Sequence, residues 1–264
     1  MKEAILNALR RIETSDQVRV LYAVESGSRA WGFASQDSDW DVRFIYIRPP
    51  AWYLSVQRRR DVLEYPLKDG LDVSGWDLKK ALGLFAKSNP PLLEWLRSPV
   101  VYWEAFSVAQ TLRTLSGRFF SCRSCLHHYL HMAEGNYREY LQGDEVRVKK
   151  YFYVLRPVLA CRWIAAHSTM PPMEFAALVA NQLPADLQPV VHALLERKRS
   201  GDELASGSRI PEINEFLDAE LARLRASLAA SPRHPALDWE ELDRVFRESL
   251  REVWESVEVE GASL

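Results

Sequence analysis

Apolar residues recur along the chain with two different periods, and each change of period marks a change of structure. Ile5, Leu6, Leu9 and Ile12 fall at helical spacing and predict a helix over residues 2–13. Val18 to Val24, VRVLYAV, is rich in β-branched and aromatic side chains and reads as a strand, broken by Glu25-Ser26-Gly27-Ser28. Residues 29–36 suit a helical turn or loop. Val42 to Ile47 predicts a second strand, ended by Pro49-Pro50, with a short helix over 51–57 on the exit. DVLEYPL and LDVSGW then form a hairpin about Lys68-Asp69-Gly70, because Asp-Gly favours the tight turns that join antiparallel strands. Asp77 is placed to cap a helix burying Leu78, Ala81, Leu82 and Phe85. Asn89-Pro90-Pro91 stops that helix, and LLEWLRSPVVYW begins another, ended by Ser98-Pro99.

Beyond about residue 105 the strand signals vanish. Residues 108–142, 145–168, 172–181, 186–199 and 211–229 read as helices, with breaks at Pro171-Pro172 and Ser231-Pro232-Arg233-His234-Pro235. A last helix runs from about 238 to 257. The expected fold class is α+β: a small mixed sheet in residues 1–105, then an all-helical domain in residues 106–264 closing a cleft over it.

Composition adjusts this picture little. Hydrophobic content of 47% and charged content of 27% over 264 residues are those of a soluble globular chain. A formal net charge of -2 neither favours nor excludes nucleic acid, since a local basic patch survives inside a neutral total. The chain opens with charges throughout, so no signal peptide is read there, and no apolar run approaches the ~18 residues of a membrane span; the expected location is cytoplasmic. Three cysteines, Cys122, Cys125 and Cys161, with His127, His128 and His131 close behind, make a zinc site conceivable. The plainer reading is a helix whose cysteines pack as small hydrophobes.

One stretch resists a purely structural account. In SGSRAWGFASQDSDWDVRFIYI, Asp37, Asp39 and Asp41 crowd against an apolar strand, and acids two residues apart on a strand share a face and repel. Something positive belongs there. The strand before it ends in the Gly27-Ser28 turn, whose backbone N–H groups and Ser28 hydroxyl can hold phosphate oxygens. Paired carboxylates facing one way suit divalent cations, which prefer carboxylate oxygens and keep phosphates as their remaining ligands. Arg43, on the same face, offers a simpler balance of charge.

A Gly-Ser turn, a gap of ten, then Asp-x-Asp entering an apolar strand resembles the polymerase-beta-like nucleotidyltransferase superfamily. Together with DVSGWDLKKAL, SNPPLLEWLRSPVVY and KKYFYVLRPVLACRWI, the stretch is most similar to the nucleotidyltransferases associated with RNA ligases and RNA repair. The resemblance covers about residues 21–165. It implies a third acid on a neighbouring strand, for which Asp72 is preferred; Asp77 is the rival, better explained as a helix cap, and Glu64 is weaker.

The same resemblance implies roles. Asp39, Asp41 and Asp72 would hold Mg²⁺ or Mn²⁺, with Asp72 also accepting the proton of an attacking hydroxyl. Gly27 and Ser28 would hold the β- and γ-phosphates, and Arg29 would reach a phosphate. Lys149, Tyr153 and Arg156 fall at steps of four and three, hence on one helix face. Turned to the acids they would bind triphosphate and base; turned to water they are a solvated stripe, and the resemblance favours the cleft. Trp31 and Trp76 fit either a base or the core, Lys79-Lys80 reads as surface, and Arg58-Arg59-Arg60 is a nucleic-acid hint in an exposed loop. The implied activity is transfer of a nucleoside monophosphate from a nucleoside triphosphate, ATP among them, to an RNA end, with an RNA ligase as partner. The alternatives are a toxin-like protein adenylyltransferase and a non-catalytic nucleotide- or RNA-binding protein.

Overall fold

A computed structural model describes residues 1–200, 206–230 and 238–261 of the chain. The first helix, α1 (Lys2–Asp16), turns Ile5, Leu9 and Ile12 inward. There follow β1 (Arg19–Glu25), the single turn α2 (Gly27–Ala30), β2 (Trp40–Ile47), the short α3 (Pro50–Tyr53), β3 (Val62–Lys68), β4 (Leu71–Asp77), α4 (Leu78–Ala86), α5 (Pro90–Trp95) and β5 (Val101–Glu104). The strands form one five-stranded sheet in the order β3-β4-β2-β1-β5. β2 and β4 run parallel, and the other neighbours are antiparallel. The hairpin turns at Asp69 and Gly70, both with positive φ (53° and 71°), the backbone an Asp-Gly pair supplies.

Strand alternation sorts the two faces of the sheet. Val20, Ala23, Val42, Phe44, Tyr46 and Val73 pack with α1 on one face. Leu21, Val24, Ile45 and Ile47 join a second cluster that runs on through the helices. Along β2 the odd positions face these helices, so Asp41 and Arg43 stand at the near end of that face.

The described residues that follow are mostly helical: α6 (Val108–Phe119), α7 (Cys122–Tyr140), α8 (Lys150–His167), α9 (Phe175–Gln182), α10 (Gln188–Arg199), α11 (Pro211–Ala230) and α12 (Trp239–Gly261). Buried residues occur all round α8, from Tyr151 to Ile164, as expected of a helix enclosed by others. The mixed sheet followed by helices agrees with the α+β expectation. The expected break at Ser231–Pro235 lies outside the described residues.

Three local expectations need correction. Residues 108–142 are two helices, because Ser121 takes extended backbone and its side chain accepts from the Ser124 N–H at 3.2 Å, capping a new start. The helix expected from residue 145 begins at Lys150; Glu145–Val146 pairs instead with Gly207–Ser208 as a small ladder of β6 and β7. Val101–Glu104, just past the helix end expected at Ser98-Pro99 and assigned no element from the sequence, is an edge strand on β1. Its four residues carry too short a pattern to be told from a helix end, and pairing with a distant strand decides it.

Candidate active site

The site begins where β1 ends. The Ser26 N–H donates to the Asp41 carbonyl at 2.8 Å, holding the two strand ends together. Gly27 then adopts φ +61°, and a Cβ added there would stand 2.1 Å from Asp41 Oδ2. Both the backbone angle and the close approach demand glycine. Ser28 follows inside α2, 8% exposed.

The acids come from two parallel strands. Asp41 and Asp72 are register partners on β2 and β4. Between them lies Arg43, with Nη2 3.2 Å from Asp41 Oδ1 and 2.7 Å from Asp72 Oδ2. The positive group that the crowded acids call for is therefore present within the chain. Burial pushes the Asp41 carboxyl above its ordinary range; Arg43 opposes that shift, while Asp72 and Asp39 add to it.

Asp39 is exposed, one residue before β2. Arg29 shapes its loop: Nε donates to the Asp39 carbonyl at 3.1 Å, and Nη2 to the Ser38 carbonyl at 2.6 Å. The same guanidinium lies 3.8 Å from the Trp40 ring centroid. The Trp40 N–H donates to the Gly70 carbonyl at 2.8 Å, tying the loop to the β3–β4 turn.

The donor set suits a hard cation, being carboxylate oxygens brought together against their own repulsion. Among the described residues, no three His, Cys, Asp or Glu side chains gather round one point as a formed metal centre would. At the acids the guanidinium of Arg43 takes the central place. The same finding applies to Cys122, Cys125 and the nearby histidines, where Cys125 is buried with its Sγ donating to the Ser88 carbonyl at 3.3 Å.

From the helices, Tyr153 lies near enough for the charges of the acids to act on it. Its hydroxyl is pushed up by burial and then by the negative charges of Asp41 and Asp39. Lys149 is exposed at the start of α8. Arg156 lies elsewhere on the same helix, 2% exposed, with Nη1 2.9 Å from Glu94 Oε1 and its guanidinium 4.3 Å from the Trp31 ring. Trp31 also meets Tyr153 edge-on at 6.1 Å, so Arg156 touches the acid site only through these rings. Trp76 stacks on Trp95 at 3.9 Å.

Asp77 sits at the far end of β4. It caps α4, accepting the Lys79 N–H at 2.8 Å, and it also accepts the Tyr53 hydroxyl at 2.8 Å. Glu64 pairs with Arg60 on the surface.

Two residues escaped the reading of the sequence. Glu25, 1% exposed, accepts the Asp41 N–H at 2.9 Å through Oε1 and the Tyr102 hydroxyl through Oε2. An acid closing so apolar a strand was the available signal. Lys198 is half-buried, 5.6 Å from the Phe33 ring; desolvation, then the charge of Lys149, lower its amine from the ordinary range. Only a basic last turn, Arg197-Lys198-Arg199, hinted at it.

Known proteins resemble this chain along nearly its whole length. The family described as "RNA repair pathway DNA polymerase beta family" (RlaP) matches residues 1–248. The "Uncharacterized protein YcgL" of Bacillus subtilis (strain 168) is 50% identical over 256 residues, 96% of this chain and 98% of its own. A nucleotidyltransferase-like protein from Exiguobacterium sibiricum 255-15, known from its crystal structure, is 16% identical with a TM-score of 0.30, covering 87% of this chain and 75% of that one. That last likeness is too distant to add to the other two.

Proposed function

The chain belongs to the RNA repair pathway DNA polymerase beta family and is a nucleotidyltransferase, and from that premise we propose that it moves a nucleoside monophosphate from a nucleoside triphosphate to an RNA end, releasing pyrophosphate. The observation that carries this reading is the contact of Gly27 with Asp41, itself in register with Asp72. A backbone turn held against paired acids is the kind of arrangement that positions a triphosphate and its cations for in-line phosphoryl transfer.

In this reading residues 1–105 are the catalytic part and residues 106–264 close over it. Gly27 and Ser28 bind the β- and γ-phosphates. Asp39, Asp41 and Asp72 hold divalent cations, Mg²⁺ or Mn²⁺, which when bound neutralise the triphosphate and ease ionisation of the attacking hydroxyl. Asp72 takes that hydroxyl's proton. Arg43 balances the two carboxylates until another cation does so. Arg29 fixes the Asp39 loop through the Ser38 and Asp39 carbonyls, close enough for its charge to act on Asp41. Tyr153 packs against the nucleotide, and Lys149 and Lys198 add positive charge beside the phosphates. Arg156 supports that wall by holding Trp31.

The reading places the reaction in the cytoplasm, beside an RNA ligase that seals the ends so prepared. No helix among the described residues is long and apolar enough to cross a membrane. Incubating the protein with labelled nucleoside triphosphates, Mg²⁺ or Mn²⁺, and separated RNA and protein fractions tests it. Label in RNA, lost in Asp41→Asn, is the expected result. Label in protein would exchange the acceptor for a side chain, and no label would leave a binding protein.

A further inference from the structure

A basic hollow lies at the opposite end of the sheet from the acids. The register that sets Asp41 beside Asp72 sets Tyr46 beside Asp77, five residues further along both strands. At ~3.3 Å per residue the two ends are roughly 17 Å apart. There the loop leaving α3 and the start of α4 enclose a cavity of about 350 Å³, lined among others by Trp52, Arg58, Arg59, Lys79 and Lys80.

Its charges are unbalanced. Asp61 and Asp77 are the two carboxylates in the lining. Asp61 pairs with Lys80 at 3.1 Å, and both oxygens of Asp77 are taken by the Lys79 N–H and the Tyr53 hydroxyl. Arg58, Arg59 and the Lys79 amine therefore have no carboxylate partner among the described residues. Gathering three unpaired cations round one hollow costs repulsion, on a chain whose total charge is -2. An anion entering the hollow relieves it. Arg59 lies 5.7 Å from the Trp52 ring, held on an aromatic face with its donors free for phosphate oxygens. Val56, fully exposed, and Leu54, 85% exposed, give the rim apolar surface on which unstacked bases can lie.

We propose that this pocket binds the phosphodiester backbone of single-stranded RNA, a few nucleotides from the end that reaches Asp41. The proposal rests on RNA as the acceptor. The separation of the two sites equals the rise of about five nucleotides stacked at ~3.4 Å. A protein partner is the less favoured occupant, because the hollow is small and its four cationic side chains outnumber its two carboxylates.

Binding of a fluorescent single-stranded RNA of about 12 nucleotides, followed by anisotropy over a salt series without triphosphate, tests it. Arg58→Ala/Arg59→Ala should weaken binding about tenfold or more and reduce the slope of log affinity against log salt by about 1.4, the loss of two phosphate contacts. Affinity for a nonhydrolysable nucleoside triphosphate should not change. An unchanged affinity and slope for the RNA would overturn the pocket while leaving the acceptor reading intact. No binding of RNA by the wild type would remove both. A poly-glutamate peptide that competes as well as RNA and shows the same sensitivity would reassign the surface to a protein and overturn the proposal.

Discussion

Gly27 and Asp41, fourteen residues apart, are so closely packed that a single added methyl group at Gly27 would stand 2.1 Å from a carboxylate oxygen of Asp41. The turn proposed to meet phosphate and the acid proposed to meet metal are packed as one unit. Gly27→Ala should abolish transfer and cost about 1–3 kcal/mol of stability through backbone strain. Gly70→Ala is the control. Gly70 has φ +71° but an added Cβ would stand 4.0 Å from Asp39 Oδ1, an ordinary contact, so strain alone should appear, with most activity kept. Equal activity losses would show that the contact with Asp41 is not what matters.

Asp41→Asn should eliminate transfer without weakening the fold. Burial holds the Asp41 carboxyl above its ordinary range, so the folded chain keeps that proton to higher pH than the unfolded chain does. Stability from this group is greatest at low pH and falls as pH rises through the raised value. The variant lacks that loss, and its melting temperature near neutrality should equal or exceed the wild type's. Added Mg²⁺ should raise the melting temperature of the wild type alone; a similar rise in the variant would detach Asp41 from the metal.

Glu25 is a positioning residue for Asp41. Glu25→Ala strips the Asp41 N–H of its buried acceptor, at a cost of about 1–3 kcal/mol. Turnover should fall by more than tenfold with little change in KM for the triphosphate, since the binding turn remains. Glu25→Gln keeps an acceptor and should recover most of the rate. If Gln and Ala are equally inactive, the charge of Glu25 acts directly rather than through Asp41.

Arg156→Ala separates support from contact. It leaves Glu94 without its buried partner, and breaking such a pair costs about 3–5 kcal/mol. Lys149→Ala and Tyr153→Ala, on the exposed part of the same helix, should keep stability and weaken nucleotide binding in calorimetry. A stable Arg156→Ala protein with weakened binding would return Arg156 to the phosphates.

Asp77 should imprint its titration on stability. Burial pushes its carboxyl up to about 6, against opposing hydrogen bonds from Tyr53 and the Lys79 N–H. The folded chain therefore holds this proton between the ordinary aspartate range and about 6, where the unfolded chain has lost it. Relative to Asp77→Asn, the wild type should lose on the order of 3 kcal/mol as pH rises through that window, in denaturant titrations. A pH-independent difference would mean Asp77 is not held protonated there.

The sequence by itself determined the local pieces. Asp69-Gly70 specified its turn, Asp77 its helix cap, and the alternation of VRFIYI a strand whose Asp41 and Arg43 share one face, because each depends on a few adjacent residues. The Gly-Ser turn and the acid pair were legible for the same reason. The tertiary structure decided what required distant partners. Arg43 could be counted as balancing charge, yet only the parallel pairing of β2 with β4 sets Asp72 within its reach. Tyr102 reaches Glu25 only because Val101–Glu104 joins β1 as a strand. Arg156 shares a periodic face with Tyr153, but periodicity gives direction round a helix and not what packs there; Glu94, from a helix far earlier in the chain, draws Arg156 inward. Sequence spacing fixes which side chains leave one element together, and the burial of each is set by the elements that close over it.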